Sequence, residues 1–238
     1  MEITDIINDA VRYPLDHLKE LGIYIGIIFV ICIILLLTVG AAVVGINADA
    51  IAAAGIVGVI GIVIALLIGL LVNGYGLDIV KLGIELSDDV PSFDITRQII
   101  NGFKYLIMAF VYMIIPAIIM ILLAMVNQTL GIVVGVILFI IFGLALFMGA
   151  CRLAETESLG YALNIKDAIN DIVRVGVIKV LAVIIIVAII AAILSFIAGL
   201  FADFGTIGAI ISAILSALVS AYTFFFQNRA IGLLYSDA

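Results

Sequence analysis

Residues 105–151 read YLIMAFVYMIIPAIIMILLAMVNQTLGIVVGVILFIIFGLALFMGAC and contain no charged side chain. A helix rises 1.5 Å per residue, so one continuous helix over this stretch would be about 70 Å long. The hydrocarbon core of a bilayer is roughly 30 Å thick and needs only about 20 residues. Three polar residues, Asn127, Gln128 and Thr129, interrupt the run near its middle. The stretch therefore predicts a hairpin of two membrane-spanning helices.

Four other stretches lack charged side chains, and each is long enough for one span: 21–48, 50–77, 180–202 and 204–228. Together they predict six spans, near residues 22–45, 51–76, 105–126, 130–151, 180–201 and 207–228. The chain is 67% hydrophobic and 11% charged, whereas soluble domains are roughly 45–50% apolar and about 25% charged. We expect an all-α fold, a polytopic membrane helix bundle that forms one integral membrane domain over residues 1–238.

In this topology all ten basic residues lie on one side of the membrane: Arg12, Lys19, Lys81, Arg97, Lys104, Arg152, Lys166, Arg174, Lys179 and Arg229. The opposite loops contain Asp49 and Asp203 but no Lys or Arg. Lys and Arg accumulate in cytoplasmic loops, so we expect a cell-membrane protein with N- and C-termini in the cytoplasm. Acidic residues such as Glu2 and Asp5 before the first span argue against a cleaved signal peptide.

Three segments between the spans carry apolar residues at helical spacing, with polar residues opposite: 3–11, 95–103 and 165–173. The spacing i, i+3, i+4, i+7 is typical of one face of an amphipathic helix. Asp94 and Asn164 stand where N-caps belong. We therefore expect three cytoplasmic amphipathic helices at the membrane interface, with their apolar faces in the headgroup boundary or against the bundle.

The same three segments align without gaps. The alignment matches acidic or amide residues with each other and basic residues with each other: Asp9 with Asn101 and Asp171, and Arg12 with Lys104 and Arg174. Since two spans follow each segment, the chain is consistent with three tandem helix-span-span units, 1–86, 87–160 and 161–238. Parallel repeats favour a pseudo-threefold or stacked arrangement. The alternative is convergence, because short amphipathic elbows recur in membrane proteins.

The predicted spans contain no Asp, Glu, Lys, Arg or His, so a proton-coupled pump has no obvious relay. His17 is the only histidine, and a single imidazole cannot supply the three or four ligands of a zinc site. Cys32 and Cys151 are predicted at different depths, which favours two buried thiols over a disulfide. We therefore predict no catalytic residue, no cofactor, no metal site and no enzyme activity.

Carboxylates on the cytoplasmic side are the remaining candidates for a site: Glu85, Asp88, Asp89, Asp94, Glu155 and Glu157. Such oxygens bind hard cations, but their spacing matches no calcium loop, so a solvated surface is the favoured interpretation. Asp49 and Asp203 are interpreted as residues of wetted turns, with an N-cap as the other interpretation for Asp49.

Small residues predict where helices approach each other closely. Span 6 carries them at helical spacing: Ala209, Ser212, Ala213, Ser216, Ala217, Ser220 and Ala221. Span 2 offers Gly55, Gly58, Gly61 and Gly69. We expect intramolecular contacts at both, with a homo-oligomer interface as the alternative. Pro116 is expected to kink span 3 and free a carbonyl near Tyr112.

Several short motifs resemble those of one family: NGYGLD at 73–78, VPSF at 90–93, INGFKYL at 100–106 with Tyr112 and Pro116, and RAIG at 229–232. They resemble a multi-pass membrane family found largely in archaea, methanogens among them, and catalogued only as a domain of unknown function. The resemblance covers most of the chain and implies no activity, cofactor or catalytic residue.

The leading functional hypothesis is a non-enzymatic scaffold or interaction module in the lipid bilayer. Its cytoplasmic face carries 10 − 15 = −5 charges and suits a protein partner, while a net charge of −7 argues against nucleic acid. The alternative is a channel or carrier for a small apolar or lipid-like solute. Its cavity would be lined by Ser195, Ser212, Ser216 and Tyr112, beside Pro116.

Overall fold

The structure is a computed structural model that describes residues 1–47 and 51–238, with the side chains of 42–54 left out of the description. Regular secondary structure in these ranges is entirely helical. The helices are α1 (Ile3–Asp16), α2 (Leu18–Asn47), α3 (Ile51–Ile84), α4 (Ile95–Val126), α5 (Gln128–Thr156), α6 (Leu159–Ala162), α7 (Ile165–Val175), α8 (Val177–Gly199) and α9 (Gly205–Tyr235). The prediction of an all-α fold is confirmed.

Six of these helices are long and apolar enough to cross a membrane: α2, α3, α4, α5, α8 and α9. This confirms the predicted number of spans. The turn predicted inside the long apolar run is also present, because α4 ends at Val126 and Asn127 caps α5 by accepting a hydrogen bond from the Leu130 amide at 3.0 Å. Asp49, predicted in a wetted turn, lies outside the described residues.

The end of the bundle that holds both chain termini is called the base, and the opposite end, with the connections α2–α3, α4–α5 and α8–α9, is called the tips. At the base, the Met1 ammonium meets the Asp237 carboxylate at 2.9 Å. Here α3, α5 and α9 continue past the predicted span ends to Ile84, Thr156 and Tyr235. The helices can continue because the charged residues that follow the apolar runs find partners in neighbouring helices.

The second amphipathic segment differs from its prediction in two ways. It is not a separate helix, since α4 runs without a break from Ile95 through the span to Val126. Its polar face also points inward: Gln98 and Asn101 are 0% and 4% exposed, whereas Ile100 and Phe103 are 50% and 53% exposed. The physical reason is that Gln98 bonds to a buried carboxylate of α3, Asp78, and burial of that pair outweighs burial of the apolar stripe.

The first and third amphipathic segments form separate helices, α1 and α7, as predicted. Their apolar faces pack against the bundle, α1 mainly on α9 and α7 mainly on α5. Ile6 and Ala168 are fully buried in these contacts. Both expected N-caps are confirmed, with Asp94 accepting from the Arg97 amide and Asn164 from the Asp167 amide.

The six long helices pair in chain order as three antiparallel hairpins, α2–α3, α4–α5 and α8–α9, and the two helices of each pair are in contact. In α8–α9, the Ser212 hydroxyl donates to the Ala198 carbonyl at 2.9 Å. The hairpins meet one another mainly at the base, where α9 buries Phe225 and Phe226 completely. Toward the tips, large apolar side chains such as Ile207 are exposed to the surroundings. The bundle is therefore tight at the base and separated into hairpins at the tips.

The predicted small-residue contacts are only partly present. In α9, Ser212, Ala217 and Ala221 are buried, while the other small residues of the stripe are exposed: Ala209, Ala213, Ser216 and Ser220. In α3, a Cβ on Gly61 would overlap Thr38 of α2, but at the other predicted glycines, Gly55, Gly58 and Gly69, it would meet nothing within 4 Å. Close approach depends on where two helices cross, and a repeat of small residues along one helix does not specify that point.

Candidate functional site

The first charged cluster of the base surrounds Arg229, whose side chain is 1% exposed. Its Nε donates to Asp9 Oδ1 at 2.7 Å, and Nη2 lies 3.1 Å from Asp88 Oδ1. The guanidinium also donates to the Ser87 carbonyl and lies 4.8 Å from the centre of the Tyr13 ring. The cluster joins α9 to α1 and to the segment that follows α3.

The second cluster surrounds Arg152 of α5, whose side chain is 5% exposed. Its Nη1 donates to Asp171 Oδ2 at 3.0 Å, and Nη2 lies 3.4 Å from Asp167 Oδ2. The Tyr235 hydroxyl also donates to Asp171, and Arg152 Nε donates to the Tyr161 carbonyl. Asp171, predicted on the polar outer face of α7, is in fact fully buried because it meets this arginine.

The third cluster reverses the charges, since the buried residue of the span-forming helix is an acid. Asp78 of α3 accepts two hydrogen bonds of 2.9 Å from Arg97 of α4. Arg97 also donates to Glu157 at 3.0 Å, and Gln98 donates to Asp78 at 2.8 Å. A two-pronged arginine–carboxylate pair of this kind fixes orientation as well as charge.

The three clusters follow one order along the chain. Asp78, Arg152 and Arg229 each lie one or two residues past the predicted end of a span, the second, fourth and sixth. The first two pair with the amphipathic segment that comes next, and Arg229 pairs with the first segment, α1. This closed order is the one expected of three units arranged in a ring. The division into repeats stays a prediction that this order supports.

Sequence reasoning missed these buried charges because it placed them just outside the membrane. A signal was available: the second, fourth and sixth spans are each followed almost at once by an ionisable residue. The periodicity places Arg97 and Lys104 on the polar face opposite the apolar stripe, and in the structure Lys104 donates to the Asn101 side chain and to the Glu157 carbonyl.

Most residues considered for chemistry have other roles. Asp88 and Glu157 are ion-paired, and Asp94 caps α4. Among the described residues, no three His, Cys, Asp or Glu side chains are grouped to hold a metal ion. His17 packs edge-on against Tyr13, with ring centres 4.7 Å apart. The three clusters pair opposite charges and hold neighbouring helices together.

The two cysteines are unpaired thiols, in agreement with the predicted lack of a disulfide. Both cysteines were predicted to be buried, and this prediction is correct only for Cys151. Cys32 is exposed on α2, because near the middle of that helix little protein packs against it.

The segment between α3 and α4 folds across the base. The Tyr13 hydroxyl of α1 donates to the Asp89 carbonyl at 2.8 Å, and the Tyr75 ring stacks on Phe93. Burial raises the pKa of Tyr13 to about 12, so this hydroxyl stays a donor at physiological pH. These contacts position the segment over Arg229.

Two carboxylates at the base predict an acid-sensitive structure. Burial alone would raise the pKa of Glu157, but the neighbouring Asn101 and Arg97 side chains and the Lys81 charge hold that pKa below its ordinary value. The pKa of Asp237 is likewise held below its ordinary value, against the effect of burial, by Lys179 and the Met1 ammonium. Their contribution to folding is present above the ordinary pKa values and is lost as the pH falls through the lowered ones.

We therefore expect the thermal unfolding temperature in detergent to fall on acidification from neutral pH to about pH 3. Glu157→Gln and Asp237→Asn should each make this dependence shallower, because an amide does not titrate. Equal pH profiles for both variants and the parent protein would contradict the assignment.

The residues predicted to line a solute cavity do not meet. Ser195 and Ser216 are exposed, and Ser212 is buried between α8 and α9. Tyr112 is fully buried near the base, where its hydroxyl donates to the Ala162 carbonyl at 2.9 Å. Pro116 lies inside α4, which continues through it.

A different cavity lies just above the charged base, among α3, α4, α5 and α9. It has a volume of about 210 Å³. Polar side chains in its lining are Asn73, Tyr105, Gln227 and Asn228, and Phe147 and Ile231 are among the apolar ones. A smaller cavity of about 130 Å³ adjoins it and has a largely apolar lining that includes residues of α8.

The base also carries an open cleft of about 630 Å³. Its lining mixes both signs of charge with apolar residues, and includes Lys81, Glu85, Asp89, Val90 and Pro91. The Asp78–Arg97–Glu157 cluster forms one side of the cleft.

Six apolar helices around a base of buried ion pairs are consistent with an integral membrane protein. Residues 57–203 match the family model described as Protein of unknown function (DUF4013). This match covers more than half of the chain, and the protein belongs to that family. The matched range includes the motifs at 73–78, 90–93 and 100–106 but not the one at 229–232. No curated protein and no solved structure matches the chain.

Proposed function

We propose that this protein is a non-enzymatic scaffold or interaction module of the cell membrane, with its base in the cytoplasm. The observation that carries the proposal is the cleft at the base, framed on one side by the Asp78–Arg97–Glu157 cluster. Helices held by buried, hydrogen-bonded charges present a surface of fixed shape, and preorganisation of this kind favours partner binding.

Charge around the cleft suits a basic partner. Glu85 and Asp89 line the cleft and are exposed, and neither forms an ion pair among the described residues. Arg97, Arg152 and Arg229 are, by contrast, engaged inside the protein. Because the same ion pairs also engage carboxylates, the accessible surface of the base keeps the acidic excess of the composition, and complementary charge mainly sets association rate and specificity.

The proposal is tested by photo-crosslinking in cells with the full chain. A photoreactive residue at Leu82, in the lining of the cleft, should form a protein adduct, whereas one at Asp203, an exposed acid near the tips, should not. Glu85→Lys together with Asp89→Lys should lower the adduct severalfold, and Asp203→Lys should leave it unchanged. Equal adducts at both ends of the bundle would overturn the proposal.

A channel or carrier is the competing function, and the buried clusters at the base argue against an open pore. The solute of that alternative is small and apolar or lipid-like, so purified protein in liposomes should move a fluorescent lipid analogue between leaflets no faster than empty liposomes do. Solute flux clearly above that background would favour transport over scaffolding.

Membrane orientation gives a separate prediction. Reporter fusions at Asn47, Asn127 and Phe204 should all report an external location, because the basic residues that favour the cytoplasm belong to the base. A fusion after Tyr235 should report the cytoplasm and serves as the control. One cytoplasmic signal from the three tip positions would contradict the topology.

An archaeal source and a homo-oligomeric state also stay predictions. The first rests on the resemblance of the motifs at 73–78 and 100–106. The second rests on the exposed small residues of α9, of which Ala213 and Ser216 are examples.

A further inference from the structure

The cavity above the base contains hydrogen-bonding groups that the protein does not fully use. Asn73 and Asn228 each donate one hydrogen bond of 2.7 Å to a carbonyl of their own helix, at Gly69 and Phe224. Among the described residues, no hydrogen bond involves the Gln227 carboxamide or the Tyr105 hydroxyl. The three carboxamides and the Tyr105 hydroxyl thus line one cavity and keep hydrogen-bond donors and acceptors that no protein group uses among the described residues.

Unused amides are costly at this position. The cavity lies between helices that are long and apolar enough to cross a membrane, where little water competes for hydrogen bonds. Asn73 is exposed in the protein alone, and Tyr105, Gln227 and Asn228 are half-buried, so the surroundings of these groups in a membrane would be protein and lipid. An amide without a partner in such surroundings costs roughly 1–3 kcal/mol by mutational measures. A polar group that enters this space therefore gains hydrogen bonds that the protein itself leaves open.

The chemistry of the lining selects an uncharged ligand. No Asp, Glu, Lys, Arg or His contributes to either cavity. Carboxamides both donate and accept, so they match a hydroxyl or carbonyl better than a phosphate or carboxylate, which would need a cation.

The adjoining cavity supplies room for an apolar chain. It shares Phe147, Gln227 and Ile231 with the first cavity, so Gln227 stands at the junction of the two. Val187 and Ala188 of α8 form another part of its wall, and Ala188 is exposed to the surroundings. A chain placed there leads from the polar lining out between α5 and α8 toward the bilayer.

We propose that this pair of cavities binds a neutral amphiphile, a long-chain molecule that ends in a hydroxyl or carbonyl group. Its polar end lies among Asn73, Gln227 and Asn228, and its chain follows the α8 wall into the bilayer. The site is separate from the scaffold function, since it does not use the cleft at the base.

The test uses the full chain in phosphatidylcholine nanodiscs and three diazirine probes of equal length: a hexadecanol, a palmitic acid and a hexadecane. The hexadecanol probe should label peptides of α5 and α8, and excess unlabelled hexadecanol should compete. The other two probes should show no such competed labelling.

Gln227→Leu should lower competed labelling by about fivefold, the factor expected for one lost hydrogen bond. The matched control is Gln128→Leu, which removes an exposed amide near the tips and should have no effect. If Gln227→Leu unfolds, Asn73→Leu tests the same cavity from α3. Equal labelling by hexadecanol and hexadecane, preference for palmitic acid, or no change in either folded cavity variant would overturn the proposal.

Discussion

Replacement of Arg229 by methionine should lower the free energy of unfolding by about 3 kcal/mol, the lower end of the range for a broken buried ion pair. The arginine is 1% exposed, and its loss leaves Asp9, whose side chain is 31% exposed, without its partner. Partial access of Asp9 to solvent keeps the loss from being larger. Methionine preserves most of the side-chain volume, so the change reports mainly on charge and hydrogen bonds.

The measurement is unfolding of the purified protein in mixed detergent micelles. Lys166→Met is the matched control, because Lys166 is exposed and forms no ion pair among the described residues, so this variant should differ little from the parent. Adding Asp9→Leu to Arg229→Met should recover part of the lost stability, since no partly buried carboxylate then lacks its cation. Equal stability of Arg229→Met and Lys166→Met would contradict a structural role for the cluster.

Gly102→Ala should be at least as damaging, by about 3 kcal/mol or through failure to assemble. A Cβ on Gly102 of α4 would overlap the carbonyl oxygen of Leu70 in α3, and a Cβ on Gly74 would overlap the carbonyl oxygen of Gln98. The obstructing atoms belong to backbone on both sides of the crossing. Relief therefore requires the two helices to move apart, which would also separate Asp78 from Arg97.

Gly69→Ala is the control for this prediction, because a Cβ there meets nothing within 4 Å. It should leave stability unchanged or raise it by up to about 1 kcal/mol, as alanine favours helix more than glycine does. Monodisperse yield and unfolding in detergent measure both variants. Identical behaviour of Gly102→Ala and Gly69→Ala would show that α3 and α4 do not cross at this point.

The number of spans could be predicted from the sequence because it depends on a local property, the length of chain without charge. The orientation of the segment 95–103 could not, since it depends on Asp78, a residue of another helix. The periodicity of a sequence shows which residues lie on the same face of a helix. It does not show which of the two faces will pack against a helix from elsewhere in the chain. Gln98 and Asn101 therefore appeared solvated and are buried.

Some features of the candidate sites could likewise be predicted from the sequence, and others could not. That Cys32 and Cys151 form no disulfide followed from their separation in depth, and the structure agrees. The cavity polar groups were missed because Asn73, Gln227 and Asn228 lie at the ends of spans, where amides are common. Only the packing of α3 beside α9 brings them together.

The pairing of α1 with α9 also has a consequence for how the protein is made. Asp9 and Arg229 are 220 residues apart in sequence, and the Tyr222 hydroxyl bonds to the Val11 carbonyl across 211 residues. A ribosome delivers α1 first, so this helix has to wait, without its main partner, until α9 has been synthesised and inserted. The first and second spans form early as a local hairpin, whereas the base closes last. Its assembly is therefore a late step of biosynthesis, and α1 is the helix most exposed to proteases until then.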